Sequence, residues 1–361
     1  MARILVVTWA GGGNVPPAIT LATQLAQRGH DVRAIGTGSL APRFESDGIP
    51  FVARELLTEW DPAALARDVH AEARKADVVI CDYMLPAALS AGEAAGVPVV
   101  ALVHTLYTAN LDDSGGLHPM GMAISVDALA TVRAELHVPA VATFGELLDR
   151  CDTLLVTCPE SLDVPSPDRP AHVRYVGPLL EPPGADAAWR PPGVDDGRPL
   201  VVAGLGTTPM DELPVLQRVV TALGAAPVRG IVTLGDHLDP ADLEVPAGVQ
   251  LSGYVRHTAM LPWASAVVTH AGLGTVLAGL SHGLPLVCLP LGREQPANAE
   301  AVARVGAGVV VDPTSSPDVM SAAITRAVTD LELRAGAARM AVEIDELVQS
   351  GRAVQEVERL V

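Results

Sequence analysis

Short β-branched runs alternate with longer Ala- and Leu-rich stretches along this chain, and the alternation runs through twice. In the first half, runs that read as strands occupy Ile4–Thr8, Asp31–Ile35, Val78–Cys81, Val97–Leu102 and Thr153–Thr157. Helical patterns lie between them at Pro17–Arg28, Pro62–Lys75, Pro86–Ala95 and around Val126–Leu136. Strands that are apolar almost throughout, separated by helices, predict a parallel sheet with both faces covered. The stretch "LLEPPGADAAWRPPGVDDGRP", Leu179 to Pro199, breaks the pattern with Pro, Gly and Asp and reads as a linker. The alternation then restarts. Strands are expected at Leu200–Ala203, Gly230–Leu234, Val249–Leu251, Ala266–Thr269, Pro285–Leu289 and Gly308–Val311. Helices are expected at Glu212–Leu223, Gly274–His282, Gln295–Val305 and Asp318–Thr329. The predicted organisation is a first domain over 1–180, a linker over 181–198 and a second domain over 199–345. A terminal helix over 346–361 is expected to pack back on the first domain.

The composition supports two cores and narrows the partners. The chain has 361 residues, 49% hydrophobic and only 18% charged, so each half can bury a core of its own. Its net charge of −18 argues against nucleic acid or an anionic membrane as a partner. No apolar stretch approaches the roughly 20 residues that span a bilayer. The start "MARILVVTWAGGG" reads as a first strand, being too short and too Gly-rich for a signal peptide, so a cytoplasmic protein is expected. Cys81, Cys151, Cys158 and Cys288 show no metal-type spacing and read as buried free thiols.

In doubly wound sheets ligands bind beyond the carboxyl ends of the strands, so function is sought in the loops that follow strands. Two such loops are unusual: "TWAGGGNVPP" after the first strand and "HAGLGTVLAG" from His270 to Gly279. In the second, Gly272 and Gly274 would let backbone N–H groups approach a ligand. Thr275 adds a hydroxyl in the first helical turn, and the helix start carries about half a positive charge. His270 can donate to a phosphate oxygen. Together these features suit an anion; the competing explanation is a structural turn beside a core histidine.

The longer stretch "HAGLGTVLAGLSHGLPLVCLPLGREQPANAEAVARVGAG" decides between them. It resembles the donor-binding signature of family 1 glycosyltransferases of the GT-B fold, the actinobacterial natural-product type among them. The matching residues are His270, Gly272, Gly274, Thr275, the His282–Pro285 run, Pro290, Glu294–Gln295, Asn298 and Gly306–Gly308. The resemblance implies two Rossmann-like doubly wound domains facing across a cleft. It implies an inverting, metal-independent transfer of a sugar from a nucleotide-sugar co-substrate to a small apolar acceptor, as in antibiotic biosynthesis. His270, Gly272, Gly274 and Thr275 would hold the diphosphate, with Gly206 and Thr207 contributing from the loop after the second domain's first strand. Tyr254 and Val255 would flank the nucleobase. Glu294 and Gln295 would bond the sugar hydroxyls, Glu294 standing where Asp is usual. No cofactor is implied, and the chain holds no Asp-x-Asp pair for a divalent cation.

Two departures stand out. Family members usually carry a histidine base in the loop after the first strand, and here Asn14 occupies that position. An amide cannot take a proton at neutral pH. Asp82 and His104, with Asp112 and Asp113, are candidate replacements in loops at strand ends; each of the first two can also be read as structural. The second departure is Ala278, where many members use Glu to bond the ribose of a UDP-sugar. Its absence favours a dTDP-deoxysugar over a UDP-sugar. Trp60, Tyr83, Met84, Tyr107, Met120 and Met122 cluster around strand-end loops and would form an apolar acceptor wall. Leu111–Met120 reads as an acceptor loop.

A nicotinamide dehydrogenase is excluded by Pro16, which stands where the third glycine of the dinucleotide fingerprint belongs. A nucleotide-sugar epimerase would need acids flanking the sugar. A non-catalytic helper that binds nucleotide or a partner enzyme is the serious alternative, motivated by Asn14. The sequence leaves the oligomeric state open, a homodimer included.

Overall fold

The computed structural model describes residues 1–54, 61–111, 125–164, 166–182, 188–192, 196–206, 210–235 and 238–361. The chain divides into two compact units, one of residues 1–181 with 347–361 and one of residues 182–346.

The first unit is built on a seven-stranded sheet. Its strands are β1 (Arg3–Thr8), β2 (Asp31–Thr37), β3 (Phe51–Arg54), β4 (Val78–Asp82), β5 (Val99–Val103), β6 (Thr153–Val156) and β7 (Val173–Tyr175). Every pairing is parallel and the order is β3-β2-β1-β4-β5-β6-β7. Central strands such as β4 and β5 are buried over their whole length, which is why they read as unbroken apolar runs. β3 and β7 were not expected from the sequence. They are edge strands without a buried apolar run: Phe51–Arg54 is at most half-buried, and Arg174 is exposed at the centre of Val173–Tyr175.

The core of this unit brings Ile4, Val6, Leu21, Leu25, Phe44 and Ile80 together with Ala353, Val354 and Val357. The helix Arg352–Glu358 is therefore part of the first unit's core. Arg28 donates two hydrogen bonds to the Glu358 carboxylate, and Arg352 donates to the Tyr175 carbonyl. Gly177, at φ +78°, leaves no room for a Cβ, which would lie 2.5 Å from the Cβ of Leu347.

The second unit carries β8 (Leu200–Gly204), β9 (Arg229–Thr233), β10 (Val249–Ser252), β11 (Ala266–Thr269), β12 (Leu286–Cys288) and β13 (Gly308–Val310). All six expected strands are present, again parallel throughout, in the order β10-β9-β8-β11-β12-β13. Both sheets are thus doubly wound, and each reverses its strand order once: at β1/β4 in the first unit and at β8/β11 in the second. In open α/β sheets, ligands bind beyond the carboxyl ends of the strands at such a reversal. All four cysteines are free and buried, as expected.

Candidate active site

The loops at the first reversal hold Asn14, after β1, and Asp82, the last residue of β4. Asn14 opens the helix Val15–Gln27, yet its side chain makes no capping bond. It turns away from the helix, forgoing a cap worth about 1 kcal/mol. Its Nδ2 donates to Asp82 Oδ2 at 2.7 Å and to the Trp9 carbonyl at 2.8 Å, with Thr8 Oγ1 at 3.4 Å. These acceptors fix the amide's orientation, because the flipped form would set an oxygen against a carboxylate and a carbonyl. Asn14 Oδ1 is buried and has no hydrogen-bond partner among the described residues. Asp82 does not cap the helix Pro86–Ala95, whose cap position is Leu85. Its Oδ1 accepts from the Met84 amide at 2.9 Å and meets His104 Nε2 at 3.2 Å. Asn14, Asp82 and His104 therefore form one hydrogen-bonded chain, because β1, β4 and β5 are neighbours in the sheet.

The acceptor candidates divide. Tyr83, Met84 and Tyr107 are all nearly buried. The Tyr83 ring lies 5.1 Å from the His104 ring, and its hydroxyl is 3.2 Å from Thr105 Oγ1. Tyr107 belongs to a loop organised by Asp163, a residue to which the sequence drew no attention. The Asp163 carboxylate accepts from the amides of Tyr107, Thr108, Ala109 and Val164 and from the Tyr175 hydroxyl. Trp60, Met120, Met122, Asp112 and Asp113 lie outside the described residues, as does most of Leu111–Met120.

At the second reversal stands His270, directly after β11. Its ring fills the space beside two glycines. A Cβ on Gly272 would lie 2.5 Å from His270 Nε2, and one on Gly206 3.1 Å from the same atom. Gly206 also sits at φ +103°, which favours glycine. The glycine at 272 thus makes room for the histidine, where the sequence suggested room for a ligand. Gly274 is the position with open space around it. Gly272 caps the helix Leu273–Ser281, so the amides of Leu273, Gly274 and Thr275 have no intrahelical acceptor. His270 Nδ1 is enclosed without a hydrogen-bond partner among the described residues. Burial lowers the His270 pKa to about 4, the Gly204 backbone opposing and Arg293 reinforcing the shift, so the ring is neutral at pH 7.

The corner is held from behind. Ala271 adopts φ +66°, strained for a residue with a Cβ, and is fully buried. Thr269 Oγ1 accepts from its amide at 3.1 Å, and Asn298 Nδ2 donates to its carbonyl at 2.9 Å. Gln295 is buried too, its Oε1 accepting from the amides of Leu291 and Gly292. Glu294 is half-buried, and its neighbour Arg293, overlooked in the sequence, is exposed. Tyr254 is exposed and Val255 half-buried beyond β10, and Ala278 is buried within the helix Leu273–Ser281. Thr207 lies outside the described residues. Among the described residues no group of three or more His, Cys, Asp or Glu side chains could hold a metal ion, and no helix is long and apolar enough to cross a membrane.

Known proteins share this architecture. Residues 217–358 match the family "Erythromycin biosynthesis protein CIII-like, C-terminal domain", and residues 18–161 match "Glycosyltransferase Family 4". The chain is 29% identical to 4'-demethylrebeccamycin synthase of Lentzea aerocolonigenes, over 85% of this chain and 87% of that protein. It is 28% identical to demethyllactenocin mycarosyltransferase of Streptomyces fradiae, over 95% and 83%. The glycotransferase of kitacinnamycin superposes with a TM-score of 0.83 at 23% identity over 99% of both chains. Glycosyltransferase VinC, solved in complex with DTDP, gives 0.75 at 23% identity over 99% and 100%. The chain is a glycosyltransferase with the GT-B fold.

Proposed function

We propose that this enzyme moves a deoxysugar from a dTDP-sugar to a small apolar natural-product acceptor, with inversion and without a metal ion. The carrying observation is the His270 corner: three amides without helical acceptors beside a neutral imidazole that can donate a hydrogen bond. That array stabilises a departing diphosphate in the way an oxyanion site stabilises developing charge. Gly206, Gly274 and Thr275 complete the phosphate site in this reading, with Thr207. Tyr254 and Val255 flank the base. Glu294 faces the sugar; Gln295 shapes the adjoining loop through its bonds to Leu291 and Gly292. Ala278 offers no carboxylate to a ribose, which suits a deoxyribose, and the complex of VinC with DTDP supports that choice. The natural-product assignment is supported by the relatives that act in such pathways.

The first unit holds the acceptor. Tyr83, Met84 and Tyr107 provide an apolar wall, and Asn14, bonded to Asp82 and to the Trp9 carbonyl, holds the strand-end residues beside it in place. Displacement joins the nucleophile to the anomeric carbon as the bond to the diphosphate breaks.

The test is calorimetric titration with dTDP and UDP, followed by transfer assays with dTDP-sugars and polycyclic or macrocyclic acceptors in excess EDTA. Tighter binding of dTDP and undiminished transfer are expected. Strong nucleotide binding without transfer to any acceptor would instead mark a non-catalytic helper, and loss of transfer in EDTA would refute the metal-free reading.

A further inference from the structure

We propose that His104 is the base of this transferase, held in place by Asp82 and doing what Asn14 cannot. The inference rests on the reading of the reaction as displacement by an acceptor nucleophile.

It follows by elimination among three bonded side chains. Asn14 has committed its N–H groups to Asp82 and Trp9, and its remaining Oδ1 is an amide oxygen with no basicity at neutral pH. Asp82 is 2% exposed and both its oxygens are engaged, Oδ2 by Asn14 and Oδ1 by Met84 and His104. A carboxylate so enclosed cannot reach a substrate. His104 is the member that reaches the surface, with 12% of its side chain exposed. Its Nε2 faces the carboxylate, which fixes the tautomer: the proton sits on Nε2 and the lone pair on Nδ1. Among the described residues, the carboxylate that meets the ring is Asp82, and the titratable ring packed against it is Tyr83, 5.1 Å away. Asp82 is a positioning residue that orients the imidazole.

The step balances. As the nucleophile's electron pair forms the bond to the anomeric carbon, its proton passes to His104 Nδ1. The electron pair of the broken carbon–oxygen bond leaves on the diphosphate. The imidazolium then returns its proton to water.

The experiment measures kcat/KM against pH for the full-length protein with a dTDP-sugar and phenolic acceptors graded in acidity. His104→Gln keeps a donor toward Asp82 but cannot take a proton. It is expected to lower kcat/KM by about 10²–10⁴-fold and to abolish the acid limb, while dTDP binding stays unchanged. Asn14→His in that background places an imidazole against Asp82 from the other side and is expected to restore the limb. The wild type supplies a variant-free check: the limb should vanish for phenols already ionised at the assay pH. A His104→Gln enzyme within threefold of wild type that keeps its acid limb would overturn the assignment, as would a limb indifferent to acceptor acidity. Either result leaves the transferase reading intact. That reading falls separately, and this inference with it, if the wild type binds dTDP and glycosylates none of the acceptors.

Discussion

His270 is placed by what its neighbours lack. Its ring lies where the side chains of residues 206 and 272 would otherwise be. Gly272→Ala therefore does not block a ligand directly; it displaces the imidazole. Weakening of dTDP binding by at least tenfold is expected in calorimetry, with the fold retained. The ring also carries a pH signature. Its folded pKa of about 4 lies below the unfolded value near 6.5, so the unfolded chain binds the proton more readily. The sign is then fixed: stability is complete above about pH 6.5, declines as pH falls, and stops declining near pH 4. His257, lowered to about 4 by burial and then by His282, acts in the same sense. Unfolding free energies from urea titrations should fall between pH 7 and 4.5, by an amount of the order of a few kcal/mol. His270→Gln should flatten part of that slope, and an unchanged slope would contradict the buried neutral ring. Saturating dTDP should also flatten it, since a diphosphate favours the protonated ring.

At the scale of elements, the strained turn between β11 and the helix Leu273–Ser281 depends on a residue 27 positions along the chain. Asn298 holds the Ala271 carbonyl. Asn298→Ala leaves that carbonyl buried and unmatched, at a cost of about 1–3 kcal/mol. The stability loss should appear in thermal unfolding, and dTDP affinity should fall with it because the amides at 273–275 lose their fixed aim. Retained affinity in a destabilised variant would show that the corner keeps its shape unaided. The sequence marked Asn298 as part of the signature run but not its partner, because a bond to a carbonyl 27 residues away leaves no local pattern. The strands were legible where they form buried apolar runs, and the edges β3 and β7 were not, because Phe51–Arg54 is at most half-buried and Val173–Tyr175 carries an exposed arginine at its centre. Asn14, Asp82 and His104 were each visible as strand-end residues, but nothing local joins them. Their contact is a product of strand order: β1, β4 and β5 must be neighbours before residues 14, 82 and 104 can meet. Asp163 was missed for a similar reason, since its partners include four backbone amides and amides carry no sequence signature.

At the scale of the whole molecule, the first unit is discontinuous in sequence. Its core needs Ala353, Val354 and Val357, and its surface pairs Arg28 with Glu358. Removing residues 347–361 exposes that apolar face, each valine being worth about 1.5–3 kcal/mol of burial. A protein ending at residue 346 should therefore bind hydrophobic dyes and melt its first unit early, while still binding dTDP through the second. Equal stability with and without the segment would show that the contact is idle. The arrangement also sets a timetable on the ribosome. Residues 1–181 leave the exit tunnel long before the helix that closes their core has been made. At about 5–20 residues per second, synthesis of residues 182–346 keeps that sheet waiting for roughly ten seconds or more. The second unit has all its strands as soon as they emerge, so the half made later is the half that can finish first. During the interval the groove meant for residues 353–357 is open, and nascent-chain chaperones are the natural occupants of such a gap.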